Sequence, residues 1–554
     1  MNIRTHPRHS WLAISSARKG SIMLCLLRLG LALVLGLSTI ASPARAQSDD
    51  RHIEDTMKRA TRFMVEKAAT NGGYVWSYAA DMSRRWGEME AYPSMIWVQP
   101  PGTPTMGHLF LDAYHATGDD YYYQAAEKAA NALIAGQQDN GGWHYFIDFG
   151  GEASTKRWYD TIGRNAWRLE EFQHYWGNAT FDDAGTSEAM QFLLRLYVER
   201  HDPKYLPAVR KALGFVLDSQ YPIGGWPQRY PVKNEFAHHG KPDYTSFITF
   251  NDDVAGENIK FLLMCYQVLG SDARVRDAII RAMNVYLVTQ QAAPQAGWGL
   301  QYTLDLKPVG ARTYEPNALV THTTAANVAQ LLDFHRLTGD RKFLSRVPEA
   351  LDWLDSVRLP VDQITAGRAY PTFIEIGTNR PLYVHRRGSN VVNGAYYVDH
   401  DPSNTVGHYN SVRAIDVAGL RRRYAEALAM DPREIAKTLL LEAGPARPLP
   451  RYFLVEASTS SDLNTSDVKR SPQDLARALN AQGWWPTPLR ATSNPYAGDG
   501  AASPLPGDFR TTRVGDRTDT SPYYSETPVV GISTGTYIEN MRALIAALVR
   551  NERK

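Results

Sequence analysis

The sequence predicts a mainly α protein, in which an incomplete α/α toroid of repeated helical hairpins is followed by a smaller, loop-rich, mixed α/β subdomain. A Gly-Gly-aromatic phrase recurs with its aromatic residue at Tyr74, Trp143 and Trp226, and a related Ala-Gly-Trp phrase ends at Trp298. Between these phrases, helical patterns are joined by turns that end in aspartate. Hairpins that cannot bury both faces alone must stack, and several of them build one continuous core.

Each repeat is interpreted as a helix, a tight turn, a second helix and a Gly-rich return, in which glycine supplies turn conformations that other residues resist. The second helices run through residues 125–133, 209–217 and 279–287. The turns end at Asp119, Asp202, Asp272 and Asp340.

The first 46 residues have the order of a secretory signal peptide. Basic residues precede an apolar run at 21–37, which is interrupted by Arg28, and the small-residue stretch 44–46 follows. A membrane anchor is the alternative, but the run is short and a cleavage-type sequence follows it. We expect removal near Ala46 and a secreted or periplasmic protein.

Charge and cysteine content exclude several classes of function. The formal net charge is +2, and it becomes −4 without the first 46 residues, which hold six basic and no acidic side chains. No polybasic stretch remains, so we expect no nucleic-acid or membrane partner. Cys25 lies in the leader and Cys265 is alone, which excludes an intramolecular disulfide in the mature chain. We expect a monomer.

The predicted domain division is residues 1–46 for the signal peptide, 47–360 for the toroid and 361–554 for the smaller subdomain. In the last of these, β-favouring runs at 372–376 and 381–385 precede a long loop at 491–525. A final amphipathic helix at 537–549 is expected to pack back on the body.

Acidic residues mark the starts of two inner helices, in the phrases FDDAG at 181–185 and FNDDV at 250–254. Inner-helix starts of a toroid converge at one end, so these side chains should share a cleft. Helix capping is the alternative function of such residues, above all for Asp182 and Asp183. The second phrase offers an oxygen-rich set that suits Ca²⁺, namely Asn251, Asp252 and Asp253.

Several motifs in a consistent order resemble the family 10 polysaccharide lyases, which are pectate lyases with a helical toroid. The motifs are GGWPQRYP at 224–231, ITFNDD at 248–253, GARTYEP at 310–316, FIEI at 373–376, NRP at 379–381, HRRG at 385–388 and ISTGTYIENM at 532–541.

The resemblance implies cleavage of polygalacturonate, an anionic polysaccharide, by β-elimination, with Ca²⁺ bridging enzyme and substrate and an arginine as the base. It makes Asp252 the foremost Ca²⁺ ligand, with Asp253 and Asn251 beside it, and Arg386 the base. Such a reaction needs cationic groups to stabilise the developing enolate. An arginine base is chemically demanding, because guanidinium normally stays protonated.

Further residues are candidates for binding substrate. Guanidinium forks pair with carboxylates, which a uronic-acid polymer carries on every sugar. Arg312 and Glu315 could instead form a structural ion pair, and the two aromatic candidates could instead be core residues. The sequence departs from the family pattern at Thr303, Thr372 and Arg387. The complete set of candidates is Arg387, Arg380, Arg312, Glu315, Trp226 and Tyr230.

Two other functions remain open at this point. A glycoside hydrolase on the same toroid would use an acid and base pair such as Asp183 and Asp253. A non-catalytic carbohydrate-binding relative would keep the fold without the chemistry. The arginines at 380–387 favour an anionic substrate, because a neutral sugar has no need of them.

Overall fold

The computed structural model describes residues 43–163, 170–233, 243–387, 395–403, 405, 409–436, 439, 441, 448–454, 470–492 and 523–552. Side chains are described for these residues except 43–49, 386–387, 395, 490–492, 523–528 and 551–552.

Helices dominate this part of the chain, which confirms the prediction of a mainly α protein. They are α1 (Pro43–Phe63), α2 (Thr103–Thr117), α3 (Asp120–Ala135), α4 (Glu152–Asp160), α5 (Glu170–Gln173), α6 (Gly185–Arg200), α7 (Leu206–Ser219), α8 (Val254–Val268), α9 (Ala273–Thr289), α10 (Thr321–Thr338), α11 (Val347–Ser356), α12 (Val417–Ala429), α13 (Pro432–Ala436), α14 (Pro472–Ala478) and α15 (Thr534–Glu552).

The hairpins stack in chain order, as expected for an α/α toroid. Inner helix α2 contacts α6, and α6 contacts α8, while α3, α7 and α9 pair with them as outer helices. Helix α10 continues the arc through contacts with α9, α11 and α12. At the other end, α15 contacts α1 and α2, so the last helix of the chain lies beside the first.

Two of the turn aspartates cap the outer helices α3 and α9, Asp340 caps a 3-10 helix, and Asp202 lies in the turn before α7. Asp119 Oδ1 accepts a hydrogen bond from the backbone N–H of Tyr121 at 2.9 Å, and Asp272 does the same for Arg274 at 2.7 Å. Asp202 and Asp340 each accept the N–H two residues later in the same way. Such a cap contributes about 1 kcal/mol to a helix start.

The Gly-Gly-aromatic loops join each outer helix to the next inner one. The indole N–H groups of Trp143, Trp226 and Trp298 donate to helix carbonyls at 2.8, 2.8 and 3.0 Å. Gly141 has φ +101°, and a Cβ there would lie 2.2 Å from a backbone oxygen of α7, so only glycine fits. The repeated phrase therefore fixes the spacing between neighbouring hairpins.

A further repeat, not predicted from the sequence, occurs near the C-terminus. Gly483 has φ +93°, and a Cβ there would lie 2.9 Å from the Arg59 carbonyl oxygen of α1. The Trp485 indole donates to Leu475 O of α14 at 2.9 Å, in the same pattern as the earlier loops. Helices α14 and α15 therefore form a hairpin that packs beside α1.

Short strands lie at the end of the molecule where the inner helices begin. All pairings are antiparallel, and four strands directly precede or closely approach the start of α2, α6, α8 or α10. The strands are β1 (Ser77–Ala79), β2 (Arg85–Trp86), β3 (Glu90–Ala91), β4 (Met95–Trp97), β5 (Phe146–Asp148), β6 (Ala179–Thr180), β7 (Arg229–Tyr230), β8 (Ile248–Thr249), β9 (Gln301–Tyr302), β10 (Pro308–Val309), β11 (Leu319–Val320), β12 (Tyr370–Pro371), β13 (Phe373–Ile374), β14 (Pro381–Arg387), β15 (Ala395–Asp399), β16 (Val412–Arg413), β17 (Thr487–Thr492) and β18 (Tyr523–Ser533).

The region after residue 360 contributes strands to this end. The sheet order β11-β13-β14-β15 attaches it to the strand that leads into α10, with Leu319 opposite Ile374 and Val320 opposite Phe373. The sheet therefore brings residues beyond 370 close to the inner-helix starts. A domain boundary at residue 360 stays a prediction.

The predicted signal peptide lies outside the described residues up to position 42, and residues 43–46 form the start of α1. Among the helices that the structure describes, none has the length and apolar character needed to span a membrane.

Candidate functional site

Two aspartate turns, at the starts of α6 and α8, contact each other. They are the short 3-10 turns Asp182–Ala184 and Asn251–Asp253. In each turn two successive non-glycine residues have left-handed backbones: Asp183 and Ala184 have φ 49° and 57°, and Asp252 and Asp253 have φ 51° and 57°. Each such residue costs about 1–3 kcal/mol, and this strain typically persists at functional sites. The turns thus bring two acidic segments to one place.

Arg312 lies at the centre of this acidic cluster. Its guanidinium is 2.6 Å from Asp182, 3.0 Å from Glu315 and 3.2 Å from Glu171, and the side chain is only 3% exposed. Burial alone would lower the pKa of Arg312, but Asp182 and Glu171 raise it well above its usual value. The guanidinium is therefore held protonated.

Asp182 and Asp252 share a hydrogen bond between their carboxyl groups. Although burial opposes ionisation of Asp182, Arg312 and a hydrogen bond from Tyr145 Oη at 2.6 Å hold its pKa below the usual value. Burial, Asp183 and Asp182 together raise the pKa of Asp252 well above its usual value. Asp252 is therefore the protonated partner that donates to the ionised Asp182.

Two more acidic side chains border the cluster on its solvent side. Gln99 Nε2 donates to Asp183 at 2.7 Å and to Glu88 at 2.8 Å, and both carboxyl groups are half-buried. Burial and the charge of Asp183 raise the pKa of Glu88 well above its usual value. Burial raises the pKa of Glu171 to about 8, with Arg312 acting in the opposite direction. Protonated and ionised carboxyl groups therefore coexist here near neutral pH.

Tyr409 connects the second aspartate turn to Glu315. Its hydroxyl donates to Glu315 Oε1 and accepts from Asn251 Nδ2 at 3.3 Å. A pocket of about 20 Å³ adjoins it, lined in part by Tyr314, Phe373 and Tyr409. That volume suits one water molecule and is too small for a sugar ring.

The three predicted Ca²⁺ ligands do not converge on one point. Asn251 directs its amide nitrogen to Asp252 Oδ2 at 2.7 Å. The Asp253 carboxylate lies over the first turn of α8, where a Cβ at Gly256 would be 2.2 Å from it. Among the described residues, no group of three or more His, Cys, Asp or Glu side chains is arranged to hold a metal ion. Asp183 and Asp252 still offer hard, half-buried oxygen donors in adjoining turns, which suit Ca²⁺ if substrate completes the shell.

Of the other predicted residues, Arg312 and Glu315 form the buried ion pair that was the structural alternative. Trp226 is fully buried, so its ring offers no face to a sugar, and the prediction that it binds substrate is wrong. Tyr230 is half-buried and packs edge-on against Phe215, at 5.8 Å between ring centroids.

The three arginines after residue 379 lie on or beside strand β14. Arg380 is exposed in the turn between β13 and β14. Arg386 and Arg387 have their backbones in β14, opposite Tyr396 and Ala395. Their side chains lie outside the described part of the chain, as does all of Gly388, so the roles given to Arg386 and Arg387 stay predictions.

Sequence reasoning missed several members of the cluster. Tyr145 follows a Gly-Gly-Trp phrase at the same spacing as Gln228, which donates to Asp182 at 2.8 Å, and this spacing was a usable signal. The others stand in loops or in very short helices and strands without periodicity, and they carry no comparable signal. They are Glu88, Gln99, Glu171, Tyr409 and Arg413.

Comparison with known proteins gives one family match. Residues 152–401 match the sequence model of a family described as pectic acid lyase. A search of curated proteins found no match.

Three solved structures illustrate the structural likeness. A mutant family 10 polysaccharide lyase from Cellvibrio cellulosa, in complex with trigalacturonic acid, is 19% identical, with 60% of this chain and 97% of that chain covered and a TM-score of 0.36. Cellobiose 2-epimerase from Spirochaeta thermophila is 12% identical, covering 92% and 99%, with a TM-score of 0.40. A family 76 glycoside hydrolase from Bacteroides thetaiotaomicron is 12% identical, covering 92% and 100%, with a TM-score of 0.39.

Both aspartate turns and Arg312 fall inside the segment that matches the family. The resemblance to pectate lyases is therefore confirmed, and residues 152–401 form a divergent segment of the pectic acid lyase type.

Proposed function

We propose that this chain is a secreted, monomeric pectate lyase that cleaves polygalacturonate by Ca²⁺-assisted β-elimination, with an arginine as the base. A polysaccharide-acting enzyme follows from the match of residues 152–401. The observation that carries the finer proposal is the meeting of two strained aspartate turns around Arg312, within that same segment.

Asp252 and Asp183 are the residues that would hold Ca²⁺, with Asn251 beside them. Both carboxyl groups are half-buried in adjoining turns, and the metal would take the place of the proton on Asp252. When bound, Ca²⁺ supplies positive charge that neutralises a substrate carboxylate and acidifies the neighbouring C–H group.

Charge stabilisation, proton abstraction and protonation of the leaving oxygen are assigned to residues of this chain. Arg312 is held protonated by the acidic side chains around it, which suits it to stabilising developing negative charge and leaves it a poor base. The resemblance assigns the base to Arg386, which takes the proton from the carbon beside the carboxylate as the C–O bond to the next sugar breaks. The leaving oxygen then needs a proton, and Glu88 holds one at the cleft surface.

A glycoside hydrolase is the second candidate, and the proton distribution in the cluster favours it. A protonated Asp252 beside ionised carboxylates is the arrangement that an acid and base pair requires. Asp253 lies over the first turn of α8, so the pair would be Asp252 and Asp183, not Asp183 and Asp253.

One assay separates the two candidates. The mature protein is mixed with polygalacturonate, with Ca²⁺ or with a chelator, and both ultraviolet absorbance and reducing ends are followed. We expect Ca²⁺-dependent absorbance from unsaturated products. New reducing ends without that absorbance would establish the hydrolase, and neither signal would leave a carbohydrate-binding protein.

A further inference from the structure

Gln99 connects two acidic side chains of the site that come from different parts of the chain. Its Nε2 donates to Glu88 Oε2 at 2.8 Å and to Asp183 Oδ2 at 2.7 Å. Glu88 lies between β2 and β3, and Gln99 lies between β4 and α2. Both residues precede the segment 152–401 that matches the family. The start of the chain therefore adds two polar groups to the site that this match does not contain.

The orientation of the Gln99 amide is fixed by Trp97. The Trp97 indole N–H donates to Gln99 Oε1 at 2.9 Å, and an indole nitrogen can only donate. A flipped amide would turn its nitrogen toward this donor and leave the two carboxyl groups without an N–H. Trp97 is 0% exposed and Gln99 is 1% exposed. A Cβ at Gly87 would lie 1.9 Å from the Trp97 ring, so the chain packs directly against the ring.

The bridge determines which oxygen of Glu88 can carry a proton. The Gln99 nitrogen can only donate, so Glu88 must accept with Oε2. In a protonated carboxyl group the carbonyl oxygen is the better acceptor, and the proton is on the other oxygen. For Glu88 that other oxygen is Oε1, which has no hydrogen-bond partner within the part of the chain that the structure describes. Its proton is therefore available for transfer.

The bridge also sets the separation of the two carboxyl groups. Two acceptors of one amide NH₂ group lie about 5 Å apart. Under the proposed function, Asp183 and Glu88 act on the same sugar unit, one as a ligand and the other as the proton donor. A proton donor contributes about 10²–10⁴ to the rate, and only within hydrogen-bond reach of the atom that it protonates. A fixed separation is therefore of direct use to the reaction.

We propose that Gln99 is a positioning residue, whose amide holds Glu88 beside Asp183 and leaves Glu88 Oε1 as the oxygen that gives its proton to the leaving oxygen of the substrate. The inference rests on the proposed function for the role of Glu88. In this step the O–H bond of Glu88 breaks as the C–O bond of the substrate breaks, and a new O–H bond forms on the leaving oxygen. The proton that Arg386 takes from carbon returns to Glu88 through solvent. The carboxylate that Glu88 becomes is a stronger acceptor for Gln99 Nε2.

The test compares two leaving groups with the full mature chain in the presence of Ca²⁺. One substrate is trigalacturonic acid, whose leaving oxygen needs a proton. The other is a galacturonoside with a 4-nitrophenyl ether at C4, because nitrophenolate leaves without a proton. For Gln99→Leu we expect turnover of the first substrate to fall by about tenfold or more and turnover of the second by less than about twofold. A merely structural role would lower both rates by the same factor.

Gln220→Leu is the matched control. Gln220 Nε2 makes the same kind of double bridge, but its acceptors are the backbone carbonyls of Gly224 at 3.0 Å and Ala278 at 2.9 Å. We expect this variant to turn over both substrates as the wild type does.

A second measurement tests the bridge without reference to catalysis. In a double-mutant cycle of Gln99→Leu and Glu88→Ala, followed by urea unfolding, the two changes should couple by a factor of about five or more in the unfolding equilibrium constant. If Gln99→Leu does not fold, Gln99→Glu replaces it in both experiments. That substitution keeps the size of the side chain and the acceptor for Trp97, and it removes the amide donor.

Three results would overturn the inference: an equal loss of turnover for both substrates, no loss for trigalacturonic acid, or additive effects in the cycle. Unsaturated product from the wild type without coupling in the cycle would refute the inference alone. Coupling in the cycle with neither unsaturated product nor nitrophenol from the wild type would refute the lyase and, with it, the proton transfer from Glu88.

Discussion

Replacing Arg312 by methionine should destabilise the fold strongly, because the guanidinium pairs with three buried acidic side chains, Asp182, Glu315 and Glu171. Asp182 is completely buried, Glu315 is 1% exposed and Glu171 is 3% exposed, so none of them can turn to water when the cation is removed. Breaking a buried ion pair by removing one partner costs about 3–5 kcal/mol. We expect a loss of about 4 kcal/mol near neutral pH.

The pH dependence of that loss has a definite sign. The pKa of Asp182 lies below its usual value in the wild type, so its ionic contribution to stability is complete above the unfolded pKa of about 3.9. This contribution disappears as the pH falls through the lower folded pKa. In Arg312→Met, Asp182 can accept a proton and relieve its uncompensated charge. The difference between variant and wild type should therefore shrink from about pH 7 to about pH 4.

The measurement is urea unfolding followed by far-ultraviolet circular dichroism at both pH values. Arg380→Met is the matched control, because Arg380 is exposed in the turn before β14, and we expect a change below about 0.5 kcal/mol. A loss in Arg312→Met no larger than in this control, or a loss that does not shrink at low pH, would refute the reasoning.

Three more predictions concern the site and its surroundings. Asp252→Ala should lose Ca²⁺-dependent activity and keep its helical circular dichroism, whereas loss of the fold would assign Asp252 a capping role. Arg386→Lys should lower turnover by about a hundredfold or more, because lysine lacks the guanidinium geometry, and near-normal turnover would remove Arg386 from the role of base. Burial, Arg229 and Lys233 lower the pKa of His144 to about 3, so the folded state keeps it neutral while the unfolded chain takes up a proton below about pH 6.5. His144→Gln should recover up to about 2 kcal/mol of the stability lost between about pH 7 and pH 5, and an unchanged pH profile of the urea midpoint would contradict this.

The helical repeat could be predicted from the sequence because its signals are local and recur. Each turn aspartate accepts the backbone N–H two residues later, and each indole of the early loops bonds to the helix before it, so the same residue types recur at the same places. The loop at Gly483 was not predicted, because a single glycine and not a Gly-Gly pair precedes Trp484 and Trp485. This loop also follows the mixed subdomain, so it is separated in sequence from the other repeats.

The candidate site was only partly predictable, because the Asp-Asp pairs of the two equivalent turns occupy backbone positions that differ by one residue. The Asp-Asp pairs at 182–183 and 252–253 look alike, but the left-handed backbone begins at Asp183 in one turn and at Asp252 in the other. Asp183 therefore corresponds to Asp252, and Asp253 lies over α8. Alignment of the two phrases on Phe181 and Phe250 gives the same offset, which comparison of the Asp-Asp pairs alone conceals.

Other members of the cluster come from distant segments, which no local pattern connects. Gln99 bridges Glu88 and Asp183, and Tyr409 reaches Glu315 across 94 positions of the chain. The buried carboxyl groups of Asp182, Glu171 and Glu315 also contradict the usual rule that acidic residues lie at the surface. The contacts of these three groups with Arg312 in the folded structure explain their burial.

The most direct test of β-elimination is the mass of the products released from oligogalacturonate of defined length by the mature chain with Ca²⁺. Elimination splits the chain without consuming water, so one product of each cleavage should be lighter by one water molecule than the same fragment from hydrolysis. We predict such unsaturated fragments for the wild type and their absence for Asp252→Ala. Fragments that all carry the mass of hydrolytic products would contradict the elimination mechanism.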